Sequence, residues 1–212
     1  MLTSITKYEE PQMQNQPRYS EQKLTITKEE INTLPLASFG GKVQLITEKE
    51  KVTEAFEEIS SHEIVGFDTE TRPSFHKGQS YKVSLLQLAL PDKAFLIRLN
   101  CTGLTKEIIS FFENDEILKA GVGIRDDIKA LQKLKRFHAD GFVELSTIAR
   151  NKGLQVESVK KLAGLVLGFR ISKSAQTSNW EAEQYTEKQI SYAATDAWVC
   201  LKLYSSLMEY EK

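Results

Sequence analysis

Cysteine is scarce: Cys101 and Cys200 are the only two in 212 residues. They lie far apart without CxxC spacing, which excludes a zinc site or a disulfide framework built on them, and both read as reduced, ordinary residues. Histidine is as thin, and His62, His76 and His138 show no metal-ligand spacing. No apolar run approaches the roughly 18 residues of a membrane span. The polar N-terminus MLTSITKYEEPQMQNQPRYSEQK lacks the charged-then-apolar layout of a signal peptide. The expectation is a soluble, intracellular, cytoplasmic protein with no membrane partner. A strong charge of one sign is missing too. A net charge of -1 argues against nucleic-acid binding by bulk electrostatics, for which domains are usually strongly basic. No repeat and no low-complexity tract interrupts the chain.

What is present is an ordinary globular composition, 41% hydrophobic and 27% charged, long enough for one sizeable domain and too short for two comfortable ones. Residues 1–25, rich in Pro, Gln, Asn and Ser, read as a flexible N-terminal arm, and residues 26–212 as a single domain. Thr27 and Glu30 form a capping box opening a short helix, and VQLIT at 43–47 reads as a strand. A helix through VTEAFEEIS, the strand IVGFDTE, and a hairpin of VSLLQLAL and KAFLIRL joined through Pro91-Asp92 follow. A helix near 104–113, a short strand ILKAGV, a helix over about 125–136 and mixed helical segments to 166 complete the middle. Interleaved strands and helices indicate an α/β layer fold. Thr186 and Gln189 cap a last helix whose Ile190, Ala194, Ala197, Leu201, Tyr204 and Met208 share one face, while Ser191, Thr195, Lys202 and Ser206 form a stripe expected to face water.

Acidic residues stand where apolar ones belong. Asp68 and Glu70 end the IVGFDTE run, and alternation along a strand points both carboxylates to one side. Like charges that close call for a cation or a shared proton. On the last helix Asp196 interrupts the stripe Tyr192, Asp196, Val199, Leu203, one turn after the phenol. In KAGVGIRDDIKALQKL, Asp127 falls within the stripe of Ala130, Leu131 and Leu134, and Asp126 at its edge, so Asp127 is the better inward carboxylate. Four carboxylates and a phenol suit two hard divalent cations, Mg²⁺ or Mn²⁺, and phosphodiester hydrolysis. Between Arg125 and Lys173 there are 11 Lys and Arg against 5 acids, a surplus suited to a phosphate-bearing ligand.

The segments GFDTE, GVGIRDD and YAATD, in that order, resemble the three exonuclease motifs of the DEDDy group of 3′-5′ exonucleases. VSLLQLAL, KAGVGI, FVELSTIA and SNWEAEQYTEKQISYAATDA are similar to the Werner-type and ribonuclease D branch, and the likeness covers roughly residues 43–209. It implies a ribonuclease H-like fold, a mixed central β-sheet flanked by α-helices. It implies that Asp68, Glu70, Asp127 and Asp196 hold two cations and that Tyr192 orients the attacking water. The partner implied is a DNA or RNA strand with a free 3′ end, digested to 5′-mononucleotides. Thr69, Lys173 and Trp180 are the candidate substrate contacts, Trp180 as a stacking surface for a base, the alternative being a Trp that anchors the final helix to the core. Relatives often carry an aromatic residue where this chain has Thr71 and an arginine where it has Gln176. The competing expectation is a nucleic-acid-binding protein that keeps the fold without turnover; the presence of all five motif positions argues against it.

Overall fold

A computed structural model describes residues 23–76 and 78–209. The expected N-terminal arm therefore lies outside the described residues up to residue 22. Its last described part includes the Leu24 carbonyl, which accepts a hydrogen bond from the Gln155 N–H at 2.7 Å.

One six-stranded mixed sheet organises the chain. Its strands are β1 (Lys42–Ile46), β2 (Ile64–Thr71), β3 (Val83–Ala89), β4 (Lys93–Arg98), β5 (Leu118–Gly121) and β6 (Phe142–Glu144), in the order β1-β4-β3-β2-β5-β6. The β2-β3-β4 centre is antiparallel, and β1, β5 and β6 join it in parallel. The hairpin expected across Pro91-Asp92 is β3-β4, and all of β3 is buried. The Thr27–Glu30 box opens α1 (Lys28–Thr33) with both reciprocal hydrogen bonds in place.

Alternation along β2 divides the core. Val65 and Phe67 turn to the side packed by α2 (Lys49–Ile59), α4 (Lys106–Phe112) and α5 (Ile124–Gln132), in a cluster with Phe56, Phe111, Phe112 and Leu131. Gly66 turns to the other side, against the long helix α8 (Glu187–Glu209). A Cβ built on Gly66 would lie 1.9 Å from the Ala197 carbonyl oxygen. Only a strand without a side chain at 66 lets α8 approach this closely, and Ala89, Ala94, Ala194 and Ala197 continue the tight seam. The two short helices α3 (Leu99–Thr102) and α6 (Leu145–Asn151), α7 (Val159–Leu162) and a π-helical turn, Ala163–Leu167, complete the layers.

Three local expectations change. Phe142–Glu144, read within mixed helical segments, is the edge strand β6, paired with β5. Thr195, assigned to a solvent stripe, is 4% exposed; its hydroxyl donates to the Ser191 carbonyl at 2.6 Å and accepts from the Phe39 N–H at 3.0 Å. A buried hydroxyl is tolerated once both partners are supplied. Met208, assigned to the apolar face, is exposed, while its neighbour Leu207 is the one buried in the core.

Candidate active site

β2 delivers Asp68 and Glu70 to the α8 side of the sheet, and the close approach at Gly66 brings Asp196 down beside them. The three side chains each present a carboxylate oxygen within 4.8 Å of the other two. Asp196 is 7% exposed, and Asp68 and Glu70 are half-buried. Tyr192 is 9% exposed one turn before Asp196, and its phenol interacts with that carboxylate. Asp127 arrives from the opposite side, in the first turn of α5. It stands outside the 4.8 Å set and is joined to it by Thr69, whose hydroxyl donates to the Asp127 carboxylate at 2.5 Å while its N–H donates to Asp68 at 2.9 Å. Asp126, its neighbour, is exposed and pairs with Lys129 at 3.0 Å. The helical stripe thus distinguishes the two acids correctly.

Burial and mutual repulsion dominate the electrostatics. Burial, then Asp196 and Asp127, push the Asp68 carboxyl well above its ordinary range. Burial and the neighbouring acids, Asp68 foremost, raise Glu70 to about 10. Burial raises Asp127 to about 6 against the opposing Thr69 hydrogen bond, and raises Asp196 to about 6 against Tyr192 and Lys173. Tyr192 is raised by burial and by Asp196 and Glu70, so the phenol keeps its proton at neutral pH. No arginine or lysine forms an ion pair with these acids among the described residues, so protons hold the cluster together in the absence of a cation. Gln87, the β3 partner of Asp68 across the ladder, is fully buried with neither end of its amide hydrogen-bonded. Converging oxygen donors, uncompensated repulsion and an orphaned amide beside them fit hard divalent cations.

Of the expected substrate contacts, Lys173 is exposed and close enough to Asp196 to lower its pKa. The hydroxyl of Thr69 is engaged by Asp127. For Trp180 the stacking reading is corrected and the anchoring one holds: it is 0% exposed, packed with Leu85, Leu96 and Tyr192, and held by Tyr185, whose hydroxyl donates to the Trp180 carbonyl at 2.6 Å. A ring covered on both faces cannot stack on a base, and Trp180 instead anchors the approach to α8. Arg98 completes this anchor, donating to the Ala182 and Glu183 carbonyls with its guanidinium 4.5 Å from the Tyr185 ring centroid.

Sequence reasoning missed Glu144. One of its carboxylate oxygens accepts from the N–H groups of Gly123 and Ile124, at 2.8 and 3.0 Å, and the other from the N–H and hydroxyl of Ser146. It therefore caps α5 and α6 together and fixes the turn that aims Asp127, where Gly123 takes φ +78°. FVELSTIA carried the signal in part, as an acid two residues before a serine at a helix start. Its second set of partners lies 20 and 21 residues earlier in sequence.

Residues 43–210 match the family model described as 3′-5′ exonuclease. The chain is 32% identical over 207 residues to the bifunctional 3′-5′ exonuclease/ATP-dependent helicase WRN of Mus musculus, covering 92% of this chain and 15% of that protein. It is 33% identical over 165 residues to exonuclease 3′-5′ domain-containing protein 2 of Homo sapiens, covering 72% and 26%. The chain thus spans about a quarter or less of these relatives' length. Among solved structures, the EXO domain of Aedes aegypti Nibbler superposes with a TM-score of 0.70 at 25% identity, covering 82% of this chain and 91% of that one. Escherichia coli RNase D shares the ribonuclease H-like fold, with a TM-score of 0.72 at 20% identity over 79% and 44%. The matched segment contains β2, α5 and α8 with all five site residues, and the chain belongs to the 3′-5′ exonuclease family, with similarity to the Werner-type exonuclease in sequence and to RNase D in fold.

Proposed function

We propose that this chain is a metal-dependent 3′-5′ exonuclease that removes 5′-mononucleotides from the 3′ end of a DNA or RNA strand. The observation that carries this reading is the cluster of Asp68, Glu70 and Asp196 within 4.8 Å, with Asp127 tied to it through Thr69. These four acids would hold two divalent cations, Mg²⁺ or Mn²⁺, which when bound stabilise the attacking and leaving oxygens of an in-line displacement at phosphorus. The chain's own side chains supply the rest. Tyr192 retains its proton in the cation-free cluster, so its part is to orient the attacking water by hydrogen bonding. Thr69 fixes the relative placement of Asp68 and Asp127, and Lys173 offers a positive charge to the phosphate beside Asp196. Water is the nucleophile, and no covalent intermediate is required.

Strands labelled at the 5′ end and incubated with Mg²⁺ or Mn²⁺ should shorten stepwise from the 3′ end, and Asp68→Ala should abolish the ladder. Absence of a ladder, or a ladder indifferent to Asp68→Ala, overturns the proposal.

A further inference from the structure

α5 carries more than Asp127. Arg125 and Lys129, with Lys133 at the helix's C-cap, follow at intervals of four residues, the spacing of one helical face, and Arg136 lies three residues further on, beyond the end of the helix. All four are exposed. Among the described residues only Lys129 has a counter-ion, Asp126 at 3.0 Å, and Lys133 and Arg136 have none. Lys129, Gln132, Lys133, Arg136 and Phe137 line a shallow, open recess of about 420 Å³.

The opposite end of the same sheet face has the other sign. α2, beside α4 and β1, exposes Glu50, Glu54, Glu57 and Glu58 together with Lys49 and Lys51, a modest acidic excess in which Glu54 pairs with Lys51 and Glu58 with Lys93. In a chain of net charge -1 the basic stripe is therefore one pole of a polarised face, and it begins within one helical turn of the acidic cluster. From Arg125 to Lys133, the residue that caps the helix, the helical rise covers roughly 12 Å, comparable to about four phosphate steps along one strand of a duplex.

We infer that Arg125 and Lys129 of α5, with Lys133 and Arg136 just beyond its end, form a docking surface for the phosphodiester backbone of the nucleic acid whose 3′ end enters the acidic cluster. This rests on the exonuclease reading above and adds where the strand runs. Cations at this spacing contact phosphates without reading bases, so the surface holds any sequence in register with the cluster.

The test is equilibrium binding of a fluorescein-labelled partial DNA duplex to the Asp68→Asn protein across a salt series, with the wild-type chain assayed in parallel for digestion of the same probe. Lys133→Ala combined with Arg136→Ala should flatten the slope of log K against log salt by about 1.8, the loss of two phosphate contacts. Lys49→Ala combined with Lys51→Ala, on α2, should leave the slope unchanged. Equal slopes for the stripe variant and its parent, with wild-type digestion intact, overturn the docking surface alone. Equal flattening by the α2 pair also overturns it, and failure of the wild-type chain to bind and digest both this probe and a matched RNA probe overturns both readings.

Discussion

Gly66 and Glu144 do as much for the cluster as the acids themselves, although neither has chemistry to offer a substrate. Adding a Cβ at Gly66 places it 1.9 Å from the Ala197 carbonyl oxygen, so α8 must move outward and carry Asp196 and Tyr192 with it. Gly66→Ala should cost about 1–3 kcal/mol or more, as overpacking does. Calorimetric unfolding would show the lowered midpoint. Activity should also fall further than it does in the control Gly40→Ala, since a Cβ at Gly40 would meet nothing within 4 Å. Glu144→Ala removes the acceptor for the Gly123, Ile124 and Ser146 N–H groups. Losing a cap costs about 1–2 kcal/mol, and for a chain of this size the midpoint should drop by roughly 2–8 °C. Because the turn it holds aims Asp127, the cation concentration needed for half-maximal activity should also rise. Unchanged cation dependence would show Glu144 to be structural only.

At the level of elements, the site residues were legible because each motif sits on a periodic element. Alternation in β2 put Asp68 and Glu70 on one side, and helical stripes chose Asp127 over Asp126 and turned Asp196 inward. β6 was not legible. Three residues, all half-buried, are too few to display a period of two, and their pairing with β5 is the fact that makes them a strand. Thr195 was misassigned, and Trp180 was left between two readings, for a related reason. Whether a Trp stacks on a base or a Thr faces water depends on what packs above it, here Tyr185 with Arg98 and the Phe39 N–H, all distant in sequence or supplied by another segment. The seam between β2 and α8 was equally hidden, since Gly66 reads locally as a weak point in a strand rather than as the place where a helix approaches.

Over the whole molecule, the raised carboxyls link stability to pH. In the unfolded chain Asp127, Asp196 and Glu70 ionise near their ordinary values of 3.8, 3.8 and 4.5, whereas folded they hold their protons to about 6, 6 and 10. Between these limits the unfolded state binds fewer protons, so the stability of the cation-free protein falls as pH rises. Thermal unfolding in chelator should therefore show a midpoint that declines from pH 5 to 7.5, a window below the titration of buried Lys119 at about 8. Mg²⁺ should restore more of it at the upper end than at the lower, because the cation replaces protons the carboxylates no longer carry. A midpoint that rises across that range in chelator would contradict the electrostatic account of the cluster.

The claim on which the rest depends is that β2, α5 and α8 gather acids into a site completed by divalent cations. Titration of the chelator-treated chain with Mn²⁺, read by the loss of free-ion electron paramagnetic resonance signal at pH 7.5, tests it without any choice of nucleic acid. The account predicts saturable binding approaching about two ions per chain, abolished or reduced to weak residual binding by Asp68→Asn. No saturable binding to the wild-type chain, or identical binding to Asp68→Asn, would contradict it.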